Sequence, residues 1–149
     1  MESKVKTIIS VQANINAPVE LVWKLWSTPG DIIKWNNASE DWHTPRAEND
    51  LKAGGTFSYR MEARDGSMGL DFAGVYDKVV VNGQVEYTLG DGRKVNVLFT
   101  ALGDSTRVAE AFEAEDINGI ALQQRGWQAI LDNFKKYAET QYQNSKPGL

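Results

Sequence analysis

Residues 126–139 read Gly-Trp-Gln-Ala-Ile-Leu-Asp-Asn-Phe-Lys-Lys-Tyr-Ala-Glu, and this stretch decides the fold. Its apolar residues recur every three or four positions, which predicts an amphipathic helix with one buried face. We expect the helix to span residues 119–142. Its predicted buried face consists of Leu122, Trp127, Ile130, Leu131, Phe134 and Ala138.

Strand-like segments precede this helix and are separated by turn signals such as Asp65-Gly66 and Asn82-Gly83. The predicted strands are Val5–Ile15, Thr56–Ala63, Leu70–Val81, Gln84–Leu89, Lys94–Leu102 and Thr106–Glu113. Asn16 is a plausible N-cap for a first short helix, a second follows at 32–35, and residues 36–50 look irregular. The order predicts an α+β helix-grip fold, in which a curved antiparallel sheet of six to seven strands wraps around the long C-terminal helix.

The composition excludes several classes of protein. The 149 residues carry a net charge of −4 with no basic cluster, so a nucleic-acid partner is not expected. There is no cysteine, which excludes thiolate catalysis and cysteine-ligated metals. No segment has the pattern of a signal peptide or a membrane span, so we expect one cytoplasmic domain over 1–149, with a flexible tail at 143–149. No cofactor motif or metal-ligand spacing is visible.

Several short motifs are shared with a known family. They are Ile15-Asn16-Ala17-Pro18 with Val22-Trp23, Gly54-Gly55-Thr56-Phe57, Phe72-Ala73-Gly74-Val75-Tyr76, Thr106-Arg107-Val108 and the final helix pattern. On these motifs the chain resembles the START/birch-pollen-allergen (SRPBCC) superfamily, and within it the bacterial group named after the activator of the heat-shock-protein ATPase. The resemblance implies the helix-grip fold and relatives that include ligand carriers, polyketide cyclases and small stress-related proteins.

Alternation along the strands assigns side chains to the inner face of the sheet. Together with the helix, this face predicts a small-molecule site with an apolar, aromatic lining. The predicted ligand-binding residues are Trp35, Trp42, Phe57, Tyr59, Met61, Phe72, Tyr76, Tyr87, Phe99, Glu110, Phe112, Trp127 and Leu131. The alternative is that these aromatic side chains only fill the core. Trp35 and Trp42 could stand at the mouth of the site or simply anchor the segment between them.

Glu110 is the candidate catalytic residue, because it shares the inner face of its strand with Val108 and Phe112. A buried carboxyl group has a raised pKa, which suits a general acid or base. Alternatively, a tyrosine or a buried water could satisfy it, or it could lie near the rim. His43 is the only histidine, and we expect it in an exposed loop.

Three functions are compatible with these features. The first is a protein that binds a small apolar or aromatic molecule between the final helix and the sheet. The second is a cyclase- or lyase-type enzyme that uses Glu110 or a tyrosine to move a proton. The third is a stress-related, co-chaperone-like interaction module, which would need an exposed apolar patch. A monomer and a homodimer are both compatible with the composition.

Overall fold

The structure is a computed structural model that describes residues 6–146. Within these residues, seven strands and three helices follow one another. They are β1 (Ile8–Ile15), α1 (Val19–Ser27), α2 (Pro29–Trp35), β2 (Trp42–Asn49), β3 (Thr56–Ala63), β4 (Gly69–Val80), β5 (Gln84–Leu89), β6 (Lys94–Leu102), β7 (Ser105–Glu113) and α3 (Ile120–Ser145).

The strands form a single antiparallel sheet in the order β1-β7-β6-β5-β4-β3-β2. Consecutive strands from β2 to β7 are neighbours, and β1 joins the outer edge of β7. α3 lies against the sheet and buries Leu131, Phe134 and Ala138. This architecture confirms the predicted α+β helix-grip class. Within residues 6–146, no helix has both the length and the apolar character needed to cross a membrane.

The prediction that residues 36–50 are irregular is wrong, because β2 lies within them. The sequence around Pro45 lacks apolar alternation, and the strand is defined instead by its backbone pairing with β3. The register of this pairing shifts between His43 and Arg46. A proline cannot donate to a sheet ladder, so it is accommodated at such an irregularity on an edge strand.

The ends of several elements differ from their predicted positions: α2 begins at Pro29, β4 is Gly69–Val80 and β7 begins at Ser105. β1 begins at Ile8, and the predicted start at Val5 lies outside the described residues. Asn16 does not cap α1, whose N-cap is Pro18; the Asn16 N–H instead donates to Glu139 of α3 at 2.9 Å. α3 continues through Ser145, so the first residues of the expected tail are helical, and residues 147–149 lie outside the described part.

The N-terminal part of α3 also differs from the prediction. Leu122 is 53% exposed, whereas its neighbour Gln123 is buried. The Gln123 side chain accepts from the Glu115 N–H at 2.9 Å and donates to the carbonyls of Glu115 and Asn118. A buried amide is stable when its donors and acceptors are satisfied in this way. Gln123 therefore fixes the β7–α3 connection to the first turn of the helix.

α3 is also joined to β1 along the open edge of that strand. Side chains of the helix bond to backbone groups of the strand and of the residue that follows it. The pairs are Gln124 with the Ser10 carbonyl at 3.2 Å, Gln128 with the Gln12 carbonyl at 3.0 Å, Lys135 with the Asn14 carbonyl at 2.6 Å, and Glu139 with the Asn16 N–H at 2.9 Å. These bonds satisfy groups that an edge strand would otherwise leave unpaired.

Candidate functional site

A cavity of about 350 Å³ lies between α3 and the inner face of the sheet. Its wall is mainly aromatic. The aromatic residues that line it are Trp26, Trp35, Phe57, Tyr59, Phe72, Tyr76, Tyr87 and Trp127. The volume falls within the range of small-molecule sites, which are typically apolar with a few polar groups.

Strand pairing brings the aromatic side chains of β3, β4 and β5 together. Tyr59 lies opposite Phe72, and Tyr76 lies opposite Tyr87. Because side chains on one face of a sheet are direct neighbours across strands, these rings touch one another. The Phe57 ring lies 4.9 Å from that of Tyr87 and 5.2 Å from that of Tyr76, measured between centroids. The result is a continuous aromatic wall.

α3 supplies the opposite wall through a stripe of residues at helical spacing. The stripe consists of Leu122, Gln123, Gly126, Trp127 and Ile130. Trp127 stacks on Phe112, with centroids 3.8 Å apart and ring planes 13° apart. A Cβ atom on Gly126 would meet no other atom within 4 Å. Gly126 therefore leaves open space in the middle of this wall.

Trp26 and Trp35 close one end of the cavity. Their rings stack with centroids 5.0 Å apart, and both pack edge-on against Phe134 of α3. The Trp35 indole N–H donates to the Leu25 carbonyl at 3.0 Å, which holds α2 against α1. Pairing of a buried indole donor in this way fixes the position of the ring. This end of the cavity is consequently well ordered by packing and hydrogen bonding.

Glu110 is the most unusual residue of the lining. It lies on β7, directly opposite Val11 of β1 and Val97 of β6, and it is only 6% exposed. Among residues 6–146, none forms a hydrogen bond or an ion pair with its carboxyl group, which borders the cavity. Burial raises the pKa of Glu110 to about 8. A carboxyl group in this state can give or take a proton near neutral pH.

The three tyrosines of the lining are less available for proton transfer. The Tyr76 hydroxyl donates to Asn49 Oδ1 at 2.6 Å, and Asn49 in turn donates to the Ser27 carbonyl at 2.7 Å. Burial raises the pKa of Tyr76 to about 12 and that of Tyr59 and Tyr87 well above the ordinary value. These hydroxyls therefore remain protonated at neutral pH and act as hydrogen-bonding groups.

The cavity reaches the surface beside Leu70, near the start of β4, and Leu122, in the first turn of α3. Leu70 is 45% exposed and Leu122 is 53% exposed, and both also line the cavity. Polar residues accompany them, including Glu115 and Arg93, whose Nε donates to Asp91 at 2.8 Å. An apolar rim with a few polar groups gives an apolar molecule a route from water to the interior.

Nine of the thirteen predicted ligand-binding residues line this cavity. They are Trp35, Phe57, Tyr59, Met61, Phe72, Tyr76, Tyr87, Glu110 and Trp127. That any of them contacts a ligand stays a prediction. The prediction of an inner position for Glu110 agrees with the structure, whereas a hydrogen bond from a neighbouring tyrosine, the alternative considered above, is not formed within the described residues.

The other four predicted residues lie elsewhere. Phe99 packs against Trp23, with ring centroids 5.1 Å apart, and Phe112 lies behind Trp127. Leu131 is fully buried on the core side of α3. Trp42 begins β2 at the far edge of the sheet, where it pairs with Ala63. Alternation correctly placed Phe99 and Phe112 on the inner face of the sheet. It does not show which inner-face residues line the cavity and which are covered by other core side chains.

Some lining residues were not predicted from the sequence. They are Trp26, Asn36, Ala38, Leu70, Val85, Arg93, Glu115, Asn118, Leu122, Gln123, Gly126 and Ile130. Leu122, Gly126 and Ile130 are spaced four residues apart and therefore share one face of α3. This spacing could have been used to predict that they line the cavity together. Asn36, Ala38 and Asn118 lie in connections, whose course the sequence does not specify.

His43 lies on β2 rather than in a loop, with its Nε2 3.9 Å from a carboxylate oxygen of Glu62. It does not line the cavity. In the described part of the chain, histidine and acidic side chains do not gather in a group of three or more that could hold a metal ion.

Comparison with known proteins places the chain in a family. The family model described as "Activator of Hsp90 ATPase homolog 1-like protein" matches residues 16–139. The solution structure of an AHSA1-like protein from Aeromonas hydrophila is 41% identical, with a TM-score of 0.87 over 96% of this chain and 99% of that one. A solution structure from Cytophaga hutchinsonii is 51% identical, with a TM-score of 0.78 over 95% and 98% of the two chains.

More distant structures share the fold alone. A crystal structure from Chromobacterium violaceum is 20% identical and has a TM-score of 0.79 over 89% of this chain and 96% of that one. A search of curated proteins gave no match. The family match covers most of the chain, and the two solution structures above cover nearly all of it. The chain therefore belongs to the activator of Hsp90 ATPase homolog 1-like family of helix-grip proteins.

Proposed function

We propose that this protein binds a small, apolar or aromatic molecule in the cavity between α3 and the sheet. The observation that carries the proposal is the cavity of about 350 Å³ with eight aromatic residues in its lining. Such rings offer a ligand a large apolar contact area and favourable stacking geometry. Glu110 and the hydroxyls of Tyr59 and Tyr87 are the polar groups that would orient the ligand.

Membership of the family supports a ligand-binding fold in general terms. The apolar, aromatic lining of the cavity supports the chemical class of the ligand. Gly126 also supports the proposal, since glycine within a helix costs about 1 kcal/mol relative to alanine. Gly126 faces open space in the cavity wall and keeps that space available for another molecule. Ligand binding would therefore explain why the helix contains a glycine at this position despite its cost in stability.

The test uses N-phenyl-1-naphthylamine, a neutral dye whose fluorescence rises in apolar surroundings. We expect one dye molecule to bind per chain. Gly126→Leu should abolish binding, because its side chain would occupy the cavity. Ala121→Leu places the same leucine side chain at an exposed position of α3 and should leave binding unchanged. Equal binding by both variants would place the dye outside the cavity and contradict the proposal.

A second candidate function is acid–base catalysis by Glu110, as in a cyclase or lyase. It is favoured by one observation, the buried carboxyl group at the cavity with a pKa raised to about 8. A general acid or base works best when its pKa lies near the working pH. Incubating the protein with small-molecule extracts and following their composition by mass spectrometry tests this candidate. Turnover by wild type that Glu110→Gln abolishes, with dye binding intact, would support it; identical changes with both proteins would not.

A further inference from the structure

We propose that the cavity selects molecules that carry one positive charge on an aromatic or apolar frame, and that Glu110 makes this selection. The inference rests on the proposed function, because it names the chemical class of the molecule that the same cavity takes.

The surroundings of Glu110 contain apolar side chains where a structural carboxylate would have partners. Val11 and Val97 lie directly opposite it on the two neighbouring strands, and Val85 continues this row on β5. Within the described chain, the carboxyl group receives no hydrogen bond. A carboxyl group in apolar surroundings is costly to ionise unless a partner compensates its charge. The Glu110 carboxyl group borders the cavity, so a ligand there can supply the partner that the described residues do not.

The charges around the cavity leave that carboxyl group without a cation. Tyr59, Tyr76 and Tyr87 face the cavity from β3, β4 and β5, and Glu115 lies at its rim after β7. The α3 stripe and the β1 and β6 neighbours of Glu110 contribute no titratable side chain. Among described lining residues, the single base is Arg93, and its guanidinium is bonded to Asp91. Above about pH 8, where Glu110 is ionised, its carboxylate therefore has no cation to pair with among the described lining residues.

The aromatic faces favour the same class of ligand. Phe57, Phe72, Tyr87 and Trp127 form a connected group of rings in the lining. A cation is attracted to the face of such rings, and the attraction grows when water is excluded. Once ionised, Glu110 would repel an anion, and a neutral hydrocarbon would leave its carboxylate unpaired. A ligand with a positive charge on an aromatic ring system can contact the ring faces of the lining and form an ion pair with Glu110.

The experiment compares two probes of nearly identical shape, N-methylquinolinium, which is permanently cationic, and 1-methylnaphthalene, which is neutral. Tryptophan fluorescence measures their affinities for the full chain. Above pH 8, where Glu110 is ionised, we expect the cation to bind at least about tenfold more tightly, equivalent to about 1.4 kcal/mol. Glu110→Gln should remove this preference while retaining affinity for the neutral probe, which also shows that the variant is folded. Glu86→Gln removes a carboxyl group from the outer face of β5 and serves as the charge-matched control.

The pH dependence provides a second readout. Below about pH 8, the cation must displace the proton of Glu110, so its affinity should rise about tenfold per pH unit from pH 6 and level off above pH 8. The neutral probe should show no such rise. Equal affinities for the two probes, or a cation preference that persists in Glu110→Gln, would overturn the inference and leave the proposed function standing. Failure of both probes to bind would contradict the proposed function as well.

Discussion

At the scale of single residues, the free energy of the fold should depend on the protonation of Glu110. Its carboxyl group is buried without a partner among the described residues, so the folded state holds the proton to about pH 8. The unfolded chain releases the same proton near the ordinary value of 4.5. Between these values the unfolded state binds fewer protons, and stability therefore falls as pH rises.

This dependence gives a prediction for Glu110→Gln. From about pH 5 to about pH 8, the free energy of unfolding of wild type should fall by roughly 3 kcal/mol relative to the variant. Urea denaturation at several pH values measures the difference, and Glu86→Gln on the outer face of β5 is the control. A constant difference between wild type and Glu110→Gln across this range would mean that the carboxyl group is solvated or paired in solution.

The inner position of Glu110 was predictable, because two-residue alternation with Val108 and Phe112 is unambiguous within a single strand. Its lack of a partner was not predictable, since that depends on which side chains β1 and β6 place opposite it. The position of Trp42 in the sheet was likewise not predictable from the sequence. Nothing in its own sequence surroundings indicates that it begins an edge strand at the far end of the sheet from β1.

At the scale of elements, α3 contains a glycine where alanine should be more favourable. Gly126 lies in the interior of the helix, and a Cβ atom there would meet no neighbour within 4 Å. Gly126→Ala should therefore raise the free energy of unfolding by about 0.5–1 kcal/mol. Chemical denaturation measures this gain, and Ala129→Gly in the next turn should lose at least as much. Destabilisation by Gly126→Ala would show that the space in the wall is filled in solution.

Some strands and helices can be predicted from their own sequences more readily than others. The bounds of β3, β5 and β6 were predicted without error, because alternation and turn residues mark both ends. β2 was missed, since Pro45 and its polar neighbours carry no strand pattern and tertiary pairing alone defines it. Gln123 was missed for a related reason. Its burial follows from the hydrogen bonds that it forms with the preceding connection, and helical spacing alone assigned the buried position to Leu122.

At the scale of the whole molecule, a ligand in the cavity would contact α3 and several strands together. It should therefore stabilise the fold as a unit. At ten times its Kd, N-phenyl-1-naphthylamine should raise the free energy of unfolding by about 1.4 kcal/mol and the Tm by roughly 3–6 °C. Thermal unfolding followed by circular dichroism checks the shift, and Gly126→Leu should lack it. An equal shift in that variant would indicate binding elsewhere.

The bonds between α3 and β1 bear on how fast a ligand could exchange. Four residues spread along the helix, from Gln124 to Glu139, are bonded to the strand edge, so swinging the helix outward would break them together. Exchange through the mouth needs only rotation of exposed side chains such as Leu70 and Leu122, which takes picoseconds to nanoseconds. The lifetime of a complex should accordingly report the strength of the contacts inside the cavity, and tight ligands and long-lived ligands should be the same molecules.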